Sequence, residues 1–152
     1  MSDLSLRERL AGEIRDAMKA RDQVRLGALR MLSAAVTNRE KEVRHELSDE
    51  EVREVAAKER KKRTESIEAF EAAGRPELAD RERSERDAIV DYAPELLDAA
   101  ALEALIDEAI AATGASSERE LGRVMGAVMS SAKGRADGNV VQALVRERLS
   151  GG

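Results

Sequence analysis

The chain has 152 residues, 26 basic and 31 acidic side chains for a formal net charge of -5, no cysteine, and one Phe and one Tyr as its aromatics. The missing cysteines exclude disulfides, thiolate metal sites and a cysteine nucleophile. The negative balance argues against a protein that coats nucleic acid unaided, because affinity for phosphate backbones comes mainly from Lys and Arg displacing counterions.

With 38% charged residues and two prolines, a chain rich in Ala, Glu, Arg and Leu points to an all-α protein with an aliphatic core. Ser5 with Glu8 forms a capping box, and Leu6, Leu10, Ile14 and Met18 predict a helical face running to about Arg21. Asp22 suits the cap of a second helix. There, Val24 to Val36 is apolar on most of its circumference and predicts the most buried helix, with a polar extension to Glu46. Ser48 with Glu51 opens a long helix carrying Val52, Val55, Ala56, Ile67 and Phe70, ended by Ala73-Gly74-Arg75-Pro76. Within it, Lys58 to Arg63 holds five positive charges. At about 100° per residue they spread around the helix, and Glu51, Glu54, Glu59 and Glu65 stand at pairing distance, so a solvated, salt-bridged face is expected over a nucleic-acid patch. Leu78, Ile89 and Tyr92 mark a fourth helix whose charged middle, Asp80 to Asp87, is expected in solvent.

Pro94 disfavours helical geometry at Ala93 and sets a boundary. Beyond it three shorter helices are predicted: Ala99 to Thr113, stopped by Gly114; Ser117 to about Ala132, opened by the box Ser117 with Glu120; and Asn139 to Leu149, with Ser150-Gly151-Gly152 frayed. No alternating apolar run predicts a strand. The expected architecture is two-lobed, an N-terminal four-helix domain over 1-93 followed by a C-terminal three-helix bundle over 94-152. Leu102 and Leu105 are a stripe able to dock on the N-terminal helices. No run approaches the roughly 18 apolar residues of a membrane span and Met1 to Leu10 has no apolar signal core, so a cytoplasmic protein away from membranes is expected.

Nothing in the pattern points to catalysis. His45 is the sole histidine and sits among charged neighbours, the carboxylate pairs are those of any solvated helix, and no serine lies in a nucleophile elbow. No catalytic residue, metal ligand or cofactor is assigned. The place where backbone donors and positive side chains meet is the corner Lys133-Gly134-Arg135-Ala136-Asp137-Gly138. Gly134 suits a left-handed position past a helix end, and Asp137 or Gly138 can open the next helix. Arg123, Lys133, Gly134, Arg135 and Gly138 are therefore the candidate nucleic-acid contacts. Gly122 and Gly126 lie inside the preceding helix, where each costs about 1 kcal/mol relative to Ala. They mark either a close internal crossing or a flat face on which another backbone lies.

Val124-Met125-Gly126-Ala127-Val128-Met129 followed by Lys133-Gly134-Arg135-Ala136-Asp137-Gly138 resembles the tail-domain signature of the GatB/YqeY family. The resemblance extends through Val24-Arg25-Leu26, Leu29-Arg30-Met31-Leu32, Glu65 to Phe70, Ala73-Gly74-Arg75 and Tyr92-Ala93-Pro94, in the manner of a free-standing YqeY-like protein. It implies an all-helical chain whose C-terminal part corresponds to the appendage with which the GatB amidotransferase subunit contacts tRNA. It also implies tRNA or the amidotransferase as partner. The carbon-nitrogen ligase activity with glutamine as amide donor belongs to a separate GatB domain without counterpart in these residues. Ser130 stands where GatB tails tend to carry Lys, and Gly138 where they tend to carry Pro, which weakens the tRNA implication and leaves a protein-interaction module as the alternative.

Overall fold

The computed structural model describes residues 4-151 and contains α1 (Leu6–Ala20), α2 (Gln23–Val43), α3 (Asp49–Ala72), α4 (Pro76–Ile89), α5 (Ala99–Thr113), α6 (Leu121–Ala132) and α7 (Gly138–Gly151), with 3-10 turns at Val90–Tyr92 and Glu118–Glu120. It is all-α, and among the described residues no strand occurs. Two compact units divide between Pro94 and Glu95.

Local chemistry sets the helix ends of the first unit. The Ser5 hydroxyl accepts from the Glu8 N–H and Asp22 from that of Arg25, while Ser48 and Glu51 complete a reciprocal capping box, each satisfying first-turn donors that have no partner inside the helix. Gly74 takes φ +70°, the left-handed geometry that lets the chain turn into Pro76 at the first position of α4. The core holds Leu6, Leu10 and Ala17 of α1, Leu26, Ala28, Leu29, Leu32 and Val36 of α2, Val52 and Ala56 of α3, and Ala88, Ile89 and Tyr92. Ile14 only flanks it, and Met18 stands in solvent instead of completing the α1 face. Helix α2 buries one face; Met31 is exposed on the other. Arg7 closes the far end of the unit with a two-pronged contact to Glu40, Nε to Oε2 at 2.7 Å and Nη2 to Oε1 at 2.5 Å, and Glu40 also accepts from the Leu47 N–H at 3.0 Å. These donors, Arg7 first, hold the Glu40 carboxyl down at about 2.

The largest departure from the sequence reading lies between α3 and α4. Arg60 and Arg63, two of the five cations expected on a solvated face, are buried. The Arg63 guanidinium donates to Glu82 at 3.2 Å and to Glu85, both on α4. Arg60 donates to the Pro94 carbonyl at 2.7 Å, and Arg86 to the Thr64 hydroxyl at 3.2 Å. The charged middle of α4 is accordingly half-buried at Glu82, Arg83, Glu85 and Arg86. The cause is geometric. The long methylene stems of Arg pack in the helix interface while the planar head reaches carboxylates on the neighbouring helix. Burial lowers the Arg60 pKa, and Arg86 nearby adds to that effect.

In the second unit Asp98 caps α5 through the Ala101 N–H, and Gly114 at φ +67° ends it. Ser117 and Glu120 complete a capping box ahead of α6. Leu102, Ile106 and Ala109 of α5, Val124, Val128 and Ala132 of α6, and Val141, Val145 and Leu149 of α7 form this unit's own core; Leu105 packs against it, so these leucines serve the C-terminal core. The acid-rich α5 meets Arg148 of α7 through Asp107, with Glu103 at 4.0 Å. Helix α7 continues through Gly151, so Ser150 and Gly151, expected to fray, are helical, while Gly152 lies outside the described residues.

Removing one partner of a buried ion pair strands the other. Arg63→Ala should lower the unfolding free energy by about 2–3 kcal/mol, whereas the exposed Lys61→Ala should stay within about 0.5 kcal/mol of the parent. Urea unfolding followed by circular dichroism tests this, and equal effects for the two variants would contradict the assignment of Arg63 to the α3–α4 interface.

Candidate functional site

Helix α6 has one buried face and one open one. Val124, Val128 and Ala132 are buried, with Leu121, Met125 and Met129 beside them. The opposite side presents Gly122, Gly126 and Ser130 at i, i+4, i+8, with Arg123 beside Gly122 and Lys133 just past the helix end, all exposed. A Cβ built on Gly122 or Gly126 meets no atom within 4 Å. No close internal crossing therefore requires either glycine, and the helix-propensity cost of about 1 kcal/mol each is not offset by packing around these two positions.

The corner after α6 is shaped by Gly134, whose φ of +76° suits glycine. The Lys133 N–H still reaches the Met129 carbonyl at 3.1 Å, and the Arg135 N–H bonds back to the Ala132 carbonyl at 2.8 Å. Asp137 then opens α7, its carboxylate accepting from the Asn139 N–H at 2.9 Å and its carbonyl from the Val141 N–H at 3.0 Å. Gly138 has no positive φ, and a Cβ there would meet nothing, so its backbone does not shape the turn.

The predicted cations do not converge on this corner. Arg123 lies ten residues before Lys133, about 15 Å along the helix axis at 1.5 Å per residue. Its guanidinium donates to the Thr113 carbonyl at the end of α5 at 2.7 Å, and to Glu120 at 3.4 Å. The Ser116 and Ser117 N–H groups hold the Glu120 carboxyl below its usual range. Arg135 donates through Nε to the Glu95 carbonyl at 3.0 Å, and its own carbonyl accepts from the Leu97 N–H at 2.9 Å. The connecting segment is thus strapped over the corner, leaving Gly134, Arg135, Ala136 and Gly138 half-buried while Lys133 and Asp137 stay in solvent. Arg119, in the 3-10 turn before α6, is also exposed. Its spacing of three and seven residues from the two glycines is the helical signal by which the sequence could have included it.

Elsewhere the chemistry is that of a surface. His45 is exposed, with Nδ1 2.9 Å from the Glu46 carbonyl and Nε2 3.5 Å from Glu51. It borders an open depression of about 500 Å³ with Arg7, Thr37, Glu40, Lys41 and Glu46. Among the described residues no group of three or more His, Cys, Asp or Glu is placed to hold a metal, and no helix is long and apolar enough to cross a membrane.

Residues 7–149 match the family described as Yqey-like protein. The chain is also similar to Altered inheritance of mitochondria protein 41, mitochondrial, from Pyrenophora tritici-repentis (strain Pt-1C-BFP), with 31% identity over 143 residues that cover 91% of this chain and 78% of the relative.

Because nothing occupies the space above the glycines, Gly126→Ala should raise the unfolding free energy by about 0.5–1 kcal/mol through helix propensity alone, and Gly126→Leu should leave the chain folded. Thermal unfolding reads both. Unfolding by the leucine variant would place the glycines in an internal crossing.

Proposed function

The chain belongs to the YqeY-like family, and on that premise we propose that it is a non-catalytic binding module that docks tRNA, alone or as an accessory of the tRNA-dependent amidotransferase, on the open face of α6. One observation carries this reading. Gly122, Gly126 and Ser130 form a flat, solvent-exposed strip flanked by Arg119 and Arg123 at one end and Lys133 at the other. A flat strip lets a phosphate backbone approach closely, and separated cations suit successive phosphates better than a single pocket does. Arg123 and Arg135, though hydrogen-bonded to carbonyls, both contribute to the local field, and Gly134 turns the chain just past Lys133. Gly138 contributes backbone at the entrance to α7. The two units are taken as separate domains of a cytoplasmic protein, with the boundary expected at 93/94 falling one residue later, after Pro94; the mitochondrial location is the relative's own.

A second reading has its own support. Arg123 and Arg135 are already committed to main-chain carbonyls, and residues 95-152 carry six basic against nine acidic side chains. A protein helix packed on the Gly122/Gly126 face would use the flat strip without requiring free cations. On either reading the ligase chemistry of amidotransferases stays with a partner.

Filter binding of total tRNA separates the two. The tRNA reading predicts retention at low salt that falls steeply as salt rises, with a log–log slope of about −2 to −3 for three contacts, and a shallower slope for Lys133→Glu. Absence of retention at the lowest salt removes it and leaves the protein-docking reading, under which a co-purifying protein is lost on Gly126→Leu.

A further inference from the structure

We propose that Met31 is a site of reversible sulfoxidation by peroxide, and that its oxidised form is held by the buried Arg63 guanidinium. Met31 of α2 is 56% exposed, although its neighbour Leu32 is fully buried. Its thioether sulfur accepts a hydrogen bond from Arg63 Nη2 at 3.3 Å. Arg63 is 5% exposed. Its Nη1 is taken by Glu82 and Glu85, and its Nε has no hydrogen-bond partner among the described residues. A guanidinium offers five N–H donors, and a thioether is a weak acceptor. The Met31 end of this buried cation is therefore its poorest-served side, and it opens to solvent.

The reaction needs only a peroxide. A sulfur lone pair attacks one peroxide oxygen, the S–O bond forms as the O–O bond breaks, sulfur loses two electrons, and the other oxygen leaves as hydroxide. That hydroxide takes the proton from the transferred OH and departs as water. Arg63 Nη2–H is placed to stabilise the negative charge that the transferred oxygen carries once its proton has left. The product sulfoxide is polar. Methionine oxidation ordinarily disrupts packing by placing a polar group among apolar neighbours. At Met31 there is little apolar burial to lose, and rotation about the flexible side chain brings the new oxygen to a cation that lacks one. Oxidation then fastens α2 to the α3–α4 ion cluster more firmly than the thioether does.

Met18 supplies an internal control. It is also exposed, and its sulfur accepts from Arg30 Nη2 at 3.2 Å, but Arg30 lies in solvent. A new oxygen there exchanges one hydrated contact for another, with no effect on stability. Met125 and Met129 are partly buried in the C-terminal unit and oxidise more slowly.

The experiment treats full-length Met18→Leu protein with hydrogen peroxide, stopped while Met125 and Met129 remain reduced as read by peptide mass spectrometry, and follows thermal unfolding. The expected result is rapid oxidation of Met31, a midpoint raised by about 2–4 °C, and return to the starting value after treatment with methionine sulfoxide reductases. Met31→Gln, which puts a carbonyl where the sulfoxide oxygen would be, should melt above Met31→Leu. A midpoint that is unchanged or lowered at full Met31 oxidation overturns the proposal. So does a Met31→Gln protein no more stable than Met31→Leu, or oxidation of Met31 no faster than that of Met125.

Discussion

The N-terminal unit depends on where one guanidinium can go. Arg63 sits in the α3–α4 interface with Glu82 and Glu85 on the facing helix. A chain with a single Phe and a single Tyr has little aromatic bulk to place between helices; Ala56 and Ala57 of α3 and Ala79 and Ala88 of α4 are buried, and long side chains fill space that alanine leaves open. A buried ion pair adds little net stability, because desolvation offsets attraction. What it sets is register. Sliding α4 along α3 by one turn, about 5.4 Å, would leave Arg63 within reach of only one of the two carboxylates, since Glu82 and Glu85 are themselves about one turn apart. Arg60, one turn earlier, then holds the Pro94 carbonyl, so the same run of α3 fixes where the chain leaves the unit.

Helix ends were legible in the sequence because a cap is a contact between residues within about four positions of each other. Asp22, the box Ser48 with Glu51, the box Ser117 with Glu120, and Gly114 and Gly134 at left-handed positions all occur where spacing places them. Partners across helices were not legible. The run Lys58 to Arg63 has acids at three- and four-residue spacing, yet the carboxylates that bind Arg63 stand 19 and 22 positions away. No periodicity within one helix carries that information, and a hydropathy scale scores arginine by its head and not by the stem it buries. Met18 and Met31 misled in the opposite sense. Both are apolar at helical spacing and both are exposed, because a face wider than its neighbour leaves its margin in water.

At the candidate site the sequence located the elements but not their relation. Gly134 turns the chain as its position required, and the two glycines of α6 do share a face. Arg123 and Arg135, however, bind carbonyls at opposite ends of α6, contacts set by how α5 ends at Thr113 and how Glu95 to Leu97 crosses the corner. Neither is a local feature. The result is a strip of small residues with cations at its ends, a shape for lying against another backbone and not for enclosing a small molecule.

The central claim is that this strip docks a tRNA, and amide hydrogen exchange with and without total tRNA at low salt tests it most directly. Added protection confined to the stretch from Arg119 to Arg135 is the predicted result. Protection confined to α3, or no change anywhere while tRNA is in excess, would contradict it.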